Sequence, residues 1–311
     1  MKETMCWSRR DFVMKSLIGS LAGLPALSYA SDLVGDSITT DNELVVLHTN
    51  DVHSRIEPFA ENDARYAGKG GVIARAKLIE SFRNQYKNVL LLDAGDIFQG
   101  TTYFSFFKGE LEMKAMSLMG YDAATLGNHD FDTGIEGFNK QLVHCNFPMI
   151  SSNYKFSNTP LDGKIEDHIL LKKGPFTIGI FGLGIELNGL VLPVHFGETK
   201  YLDPIEMAQE MVSKMRRKCD LLICLSHLGF KYENKKVSDN VIAQKVPGID
   251  LIVGGHTHTF LDQPWVYKHS NGQQCRVVQS GWGGLRLGML KYTKGVQSAM
   301  MLTQSNQLPV V

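Results

Sequence analysis

Five short apolar runs of the sequence are each followed by side chains that can bind a divalent metal ion. Those side chains are Asp51, His53, Asp96, Asn128, His227, His256 and His258. Carboxylate, imidazole and amide groups together suit borderline and hard divalent metals, and no cysteine belongs to the set. Taken alone, Asp51 has the type of a turn residue and Asp96 that of a helix cap. Because such residues follow five separate runs, the sequence favours one shared metal site.

The spacing of these residues supports the same interpretation. His53 lies two positions after Asp51, and His258 two after His256, so each pair presents its side chains to one side of a locally extended chain. Neighbouring glycines leave room for close approach of the backbone. The remaining histidines have no such context, and we predict that they are solvated or buried in the core: His48, His144, His168, His195 and His269.

The elements that must position the site alternate between strands and helices. Strands are predicted at 44–47, 89–92, up to Leu126, and at 176–181, 220–225 and 249–253, with helices near 72–85, 110–119, 135–144 and 204–217. This alternation predicts an α/β layered domain whose core strands are buried on both faces. Ligands of open α/β sheets bind beyond the carboxyl ends of the strands, so the metal-binding side chains should converge there. After Cys275, glycines between 276–279 and 287–292 predict a closing antiparallel hairpin.

In their order along the chain, five segments resemble those of the calcineurin-like metallophosphoesterases. They are Asp51-Val52-His53, Gly95-Asp96, Gly127-Asn128-His129-Asp130-Phe131-Asp132, Ser226-His227 and Gly255-His256-Thr257-His258. Within that group the sequence is similar to the amino-terminal catalytic domain of the bacterial 5′-nucleotidase and UDP-sugar hydrolase family, over about residues 44–290. The resemblance implies a layered αββα sandwich forming a single catalytic domain. We place that domain at residues 43–303 and a tail at 304–311.

The resemblance also implies roles for the site residues. Two divalent ions, Mn, Zn, Co or Fe, would be bound, one by Asp51, His53 and His258 and the other by Asn128, His227 and His256. Asp96 would bridge them. Metal-activated water or hydroxide would attack the phosphorus atom. His129 would face the leaving group as general acid or transition-state stabiliser, with Asp132 fixing its tautomer, and for Asp130 a structural role is expected.

Three functions follow from the resemblance and remain open at this stage. The first is a 5′-nucleotidase-like phosphomonoesterase acting on a small phosphoester, a nucleotide or related metabolite. The second is hydrolysis of 2′,3′-cyclic nucleotides, UDP-sugars or sulfur esters on the same centre. The third is a non-catalytic metal- or ligand-binding subunit, which the presence of His129, Asp132 and the bridging Asp96 disfavours.

The chain length bears on substrate recognition. In the family a carboxy-terminal domain carries the residues that grip the substrate, and we expect this 311-residue chain to lack it. Either a separate polypeptide supplies those residues, or the open centre accepts a wider range of phosphoesters. The 32 basic and 32 acidic side chains balance, which disfavours nucleic acid as a partner.

The first 30 residues have the pattern of an export signal. Arg9-Arg10 precede an apolar run from Leu17 to Leu27 and the small-residue exit Ser28-Tyr29-Ala30, which resembles a twin-arginine signal. The run is too short to span a bilayer, so no stable membrane span is expected once the signal is removed. Residues 31–42 are predicted to be a linker, and the protein is predicted to be periplasmic. A disulfide framework is not expected, because this route exports folded proteins from a reducing cytosol.

Overall fold

The computed structural model describes residues 41–295 and 300–311. The predicted signal at 1–30 and most of the predicted linker at 31–42 lie outside these residues.

The strands are β1 Glu43–Thr49, β2 Val89–Asp93, β3 Ala123–Thr125, β4 Met149–Ile150, β5 Tyr154–Lys155, β6 His168–Lys173, β7 Phe176–Leu183, β8 Lys200–Tyr201, β9 Leu221–Ser226, β10 Leu251–Gly254, β11 Trp265–Lys268, β12 Gln274–Val278, β13 Arg286–Lys294 and β14 Met300–Pro309. The helices are α1 Val72–Gln85, α2 Thr102–Phe107, α3 Glu110–Met119, α4 Gly134–Gln141, α5 Pro193–Phe196, α6 Pro204–Met215 and α7 Asp239–Lys245. Short 3-10 turns occupy His129–Phe131, Leu142–His144 and Arg216–Lys218.

Two six-stranded sheets and one small two-stranded sheet, formed by β5 and β8, contain these strands. The first sheet has the order β14-β13-β1-β2-β3-β4, and the second has the order β11-β12-β10-β9-β7-β6. Strands β1 to β4 run parallel, as do β7, β9, β10 and β12. Antiparallel strands complete the edges of both sheets. The carboxyl ends of the parallel strands therefore lie along one edge of each sheet.

The sheets stack face to face between two layers of helices. Along β1, Leu44 and Val46 pack in the cluster that joins the two sheets, whereas Val45 and Leu47 pack in the cluster that contains α1, α3 and α4. Residues of α6 and α7 cover the outer face of the second sheet. Strands buried on both faces explain the continuous apolar runs of the sequence. The predicted αββα sandwich is confirmed.

The predicted closing hairpin is wrong. Strand β12 belongs to the second sheet and β13 to the first, so the chain between them crosses from one sheet to the other. Gly281, Gly283 and Gly284 have φ of 79°, 63° and 61°, and they shape this crossover rather than a hairpin turn. We call residues 279–285 the crossover segment. The antiparallel partners of β13 are instead β1 and β14.

The predicted tail at 304–311 is wrong as well. Residues 304–309 continue β14, which pairs with β13 from Lys294↔Met300 to Arg286↔Pro309. Beyond the strand, Val310 is buried, and its backbone pairs with Leu285 and Gly70. Backbone pairing and burial of Val310 hold this uncharged segment on the sheet. Among the described residues, no helix has the length and apolar character needed to cross a membrane.

Candidate metal centre

The structure brings together all seven side chains that the sequence predicts as metal ligands. Asp51 and His53 follow β1, Asp96 follows β2 and Asn128 follows β3, all at the edge of the first sheet. His227 follows β9, and His256 and His258 follow β10, in the second sheet. The site therefore lies where the carboxyl ends of the two stacked sheets meet.

The first ligand group consists of Asp51, His53 and His258, whose candidate ligand atoms all lie within 4.8 Å of one another. The Nε2 atoms of His53 and His258 are 3.0 Å apart. Oδ1 of Asp51 lies 3.4 Å from Nε2 of His258 and 4.0 Å from Nε2 of His53. One carboxylate oxygen and two imidazole nitrogens thus face a common point, as ligands of one cation must.

The second ligand group consists of Asp96, His227 and His256, again within 4.8 Å. Nε2 of His227 lies 3.1 Å from Oδ2 of Asp96, and Nδ1 of His256 lies 2.8 Å from Oδ1 of Asn128. The same Oδ2 of Asp96 is 3.7 Å from Nε2 of His53 in the first group. Asp96 therefore belongs to the second group and also faces the first, as a bridging carboxylate must.

Backbone carbonyls orient two of the imidazoles. Nδ1 of His53 lies 3.2 Å from the carbonyl oxygen of Phe98, and Nδ1 of His227 lies 2.6 Å from that of Ala94. Since a carbonyl only accepts, each Nδ1 carries a proton, and each Nε2 is the atom that would offer a lone pair to a bound cation. Nε2 of His227 is fully buried and, within residues 41–295 and 300–311, forms no hydrogen bond of good geometry, although Oδ2 of Asp96 lies 3.1 Å away. A cation would satisfy this atom, so the residues present fit a metal centre.

The buried carboxylates of the site stabilise positive charge close to them. Burial lowers the pKa of His227, but the carboxylates of Asp96 and Asp51 outweigh it and raise the pKa to about 10. Burial on its own would raise the pKa of the Asp96 carboxyl. The neighbouring histidines outweigh this effect and hold the pKa below its usual range. Burial and the charge of His227 lower the pKa of His256 to about 4. A buried carboxylate is stable only when a positive charge lies close to it, and divalent metal ions would supply that charge here.

Five of the seven candidate ligands have a left-handed backbone. The φ angles of Asp51, His53, Asp96, His256 and His258 are 49°, 50°, 55°, 71° and 51°. Such angles are costly for residues with a Cβ and concentrate at functional sites. Hydrogen bonds between the two loops hold the strained turns: the N–H groups of Asp51 and His53 donate to the carbonyl oxygens of Gly95 and Asp96.

Two glycines are required by the close packing of the ligands. A Cβ on Gly127 would overlap the carboxylate and backbone nitrogen of Asp96. A Cβ on Gly255 would lie 2.8 Å from Nδ1 of His227 and 2.9 Å from the carbonyl oxygen of Ala94. The glycines next to the predicted ligands thus allow the close approach that the sequence indicates.

Asp130 holds the loop that carries Asp96. Its Oδ2 accepts hydrogen bonds from the backbone N–H groups of Asp96 and Gly127, and its Oδ1 accepts from those of Ile97 and Phe98, at 2.7–3.1 Å. The side chain is fully buried. Its contacts are therefore with the backbone that shapes the site, which agrees with the structural role expected for it.

His129 and Asp132 form a pair at the open side of the site. Nδ1 of His129 donates to Oδ2 of Asp132 over 2.9 Å, which leaves Nε2 free for another partner. The hydrogen bond with Asp132 raises the pKa of His129. The ring packs edge-on to His53, with centroids 5.4 Å apart, and is partly exposed. His129 is thus beside the first ligand group and can carry a proton at Nε2.

Two buried amides support the site and were not anticipated from the sequence. Nδ2 of Asn50 donates to Oδ2 of Asp51 over 2.6 Å and to the carbonyl oxygen of Gly281 over 2.7 Å. Nε2 of Gln279 donates to the carbonyl oxygen of Gly255 over 2.6 Å. The sequence feature that could have pointed to them is their position directly after a buried strand, since Asn50 follows β1 and Gln279 follows β12.

This fold and this arrangement of ligands define the class of the protein. The sequence model of the calcineurin-like phosphoesterase family matches residues 44–260, and the chain belongs to that family. Its relatives include the snake venom 5′-nucleotidase of Gloydius brevicauda, which is 38% identical over 272 residues, covering 80% of this chain and 45% of that protein.

Solved structures show the same likeness. The 5′-nucleotidase precursor from Thermus thermophilus has a TM-score of 0.76 and 30% identity over 86% of this chain and 54% of that one. The NAD nucleotidase of Haemophilus influenzae has a TM-score of 0.76 and 30% identity over 86% of this chain and 50% of that one. The chain thus spans about half the length of these three relatives.

Proposed function

We propose that the protein is a dinuclear-metal-dependent phosphoester hydrolase, and that it acts as a 5′-nucleotidase-like phosphomonoesterase. The observation that carries the proposal is the position of Asp96, whose Oδ2 lies 3.7 Å from Nε2 of His53 and 3.1 Å from Nε2 of His227. One carboxylate that serves two ligand groups is what a pair of metal ions requires. The similarity to 5′-nucleotidases supports the choice of reaction and substrate class.

Each ligand group has its own part in this proposal. Asp51, His53 and His258 would hold one divalent ion, Asn128, His227 and His256 would hold the other, and Asp96 would be shared by the two. When bound, the two ions activate the attacking water and neutralise charge on the phosphoryl oxygens. Asn128 contributes a neutral oxygen, so the site keeps more net positive charge for a phosphate than a third carboxylate would leave.

In this proposal His129 donates a proton to the leaving group. Its Nδ1–H is engaged by Asp132, so Nε2 is the atom that faces a bound ester. In the protonated state Nε2 donates to the leaving oxygen as the ester bond breaks. The raised pKa of His129, caused by the bond to Asp132, favours the protonated state that this role needs.

Phosphodiester hydrolysis is the second candidate, and a relative favours it. The NAD nucleotidase of Haemophilus influenzae shares 30% identity with this chain, and its name describes action on a dinucleotide. UDP-sugars and 2′,3′-cyclic nucleotides belong to the same alternative. The metal ions and His129 would serve a diester as they serve a monoester, so substrate contacts outside the metal centre decide between the two reactions.

A panel of esters tests the proposal. Chelator-treated protein is reloaded with Mn²⁺, Zn²⁺ or Co²⁺ and assayed on p-nitrophenyl phosphate, nucleoside 5′-monophosphates, NAD, UDP-glucose, 2′,3′-cyclic AMP and a sulfur ester. We expect hydrolysis of the monoesters. Cleavage of diesters alone would support the second candidate, and no cleavage of any ester with any metal would refute the enzyme assignment. A substrate range limited to small aryl phosphates would support recognition of nucleotides by a separate polypeptide.

We further propose that the protein is exported by the twin-arginine route to the periplasm. The support is the order of Arg9-Arg10, the apolar run and Ala30 in the sequence. Replacing both arginines, Arg9→Lys with Arg10→Lys, should leave the precursor in the cytoplasm. Unchanged export of that variant would contradict the proposal.

A further inference from the structure

The indole of Trp282 stacks on the imidazole of His258. The ring centroids are 5.7 Å apart and the planes differ by 9°, which is an offset parallel stack. Trp282 belongs to the crossover segment between the two sheets, whereas His258 follows β10. Two parts of the chain therefore meet at a candidate metal ligand.

His258 lacks the backbone anchor that His53 and His227 have. Backbone carbonyls fix His53 and His227 through Nδ1. For His258, no group among the described residues hydrogen-bonds to Nδ1. Its side chain is 40% exposed, against 8% for His53 and 0% for His227. The ring's contacts with Asp51 and with the edge-on ring of His53, at a centroid distance of 5.0 Å, are with its fellow candidate ligands. Among the described residues outside the ligand set, Trp282 is the aromatic ring that packs on His258, so we take this stack as the contact that sets its orientation.

Trp282 is itself held rigidly. Phe59 and the indole form a T-shaped pair with centroids 5.5 Å apart and planes at 86°, and Tyr66 forms a second T-shaped pair at 6.2 Å and 79°. The next residue, Gly283, donates its N–H to the carbonyl oxygen of Asp51 over 2.7 Å. The indole is thus fixed with respect to Asp51, which is the carboxylate that shares the first ligand group with His258.

We propose that Trp282 is the positioning residue of the first ligand group, and that it holds His258 with Nε2 directed at the point shared with Asp51 and His53. The indole face also attracts the partial positive charge that an imidazole acquires on binding a cation. The inference rests on the proposed function only in taking His258 as a metal ligand.

Metal titration without substrate tests this inference. Isothermal titration of chelator-treated protein with Mn²⁺ should resolve two binding events in the wild type. Trp282→Ala should weaken one of them by about 10- to 100-fold, the range typical of residues that orient metal ligands, and leave the other unchanged. Trp282→Phe keeps a flat ring and should restore most of the affinity. The matched control is Trp265→Ala on β11, which should leave both events unchanged.

Tryptophan emission gives a second readout. The chain has three tryptophans, so Trp7→Phe with Trp265→Phe leaves Trp282 as the single emitter. Co²⁺ should quench its emission with the affinity of the event that Trp282→Ala weakens. The inference is overturned if Trp282→Ala binds both ions as the wild type does, if it weakens both events equally, or if Co²⁺ leaves the emission unchanged. A protein that binds two ions in this pattern but cleaves no ester would refute the proposed function and leave this inference standing.

Discussion

The backbone N–H of His129 donates a 2.8 Å hydrogen bond to Oδ1 of Asp96, while Oδ2 of the same carboxylate lies 3.1 Å from Nε2 of His227. One side chain therefore connects the proposed general acid with both ligand groups. Asp130 fixes this side chain through the backbone of its loop. The position of His129 relative to the two ligand groups is thus set by two buried carboxylates.

Asp96→Asn should remove the charge of the bridge while keeping its shape. We expect metal content to fall from two ions toward one and turnover to fall by more than about 100-fold, since even residues that only orient metal ligands contribute about 10- to 100-fold. Elemental analysis of dialysed protein and a p-nitrophenyl phosphate assay measure both effects. Asp41→Asn, at an exposed surface ion pair, is the control. Two ions and full turnover in Asp96→Asn would exclude the bridging role.

His129→Ala should separate metal binding from turnover. We expect both ions to remain and the turnover number to fall by about 100- to 10,000-fold, the usual contribution of a general acid. Asp132→Asn should give a smaller loss, because Nδ1 of His129 loses its charged acceptor. The measurement is the turnover number at saturating metal. Unchanged turnover in His129→Ala would remove this residue from the mechanism.

Asp130→Asn should destabilise the fold around the site. The substitution replaces one carboxylate oxygen by an NH2 group, which cannot accept the two hydrogen bonds that this oxygen now receives from backbone N–H groups. We expect the free energy of unfolding to fall by about 1–3 kcal/mol, measured by urea denaturation of metal-free protein. The exposed Asp162→Asn should change it by less than about 0.5 kcal/mol. Equal stability of the two variants would contradict the role given to Asp130.

Removal of metal should lower thermal stability. Asp51 and Asp96 are buried, and without metal ions the protonated imidazole of His227 balances only part of their charge. Mn²⁺ at 100 times its dissociation constant should add about 2.7 kcal/mol per site to the free energy of unfolding. Thermal melts with chelator and with increasing Mn²⁺ measure the effect. Superimposable melts would show that the folded protein does not bind the ion preferentially.

The sequence indicated most of the site but not how the sheets are assembled. Helix boundaries at 72–85 and 110–119 agree with α1 and α3, because periodic apolar residues and flanking glycines are local signals. Strand pairing is not local. The strands on either side of the crossover segment look like a hairpin in the sequence, yet they enter different sheets. Supporting residues such as Asn50 and Gln279 have no distinctive spacing, so only their hydrogen bonds reveal them.

The most direct test of the account is release of inorganic phosphate from a nucleoside 5′-monophosphate by the reloaded wild type and by Asp96→Asn. The account predicts phosphate release that requires added Mn²⁺, Zn²⁺ or Co²⁺, saturates with nucleotide and is lost in the variant. Phosphate release at the same rate in the presence of chelator, or by Asp96→Asn, would contradict a reaction at the metal centre formed by the two ligand groups.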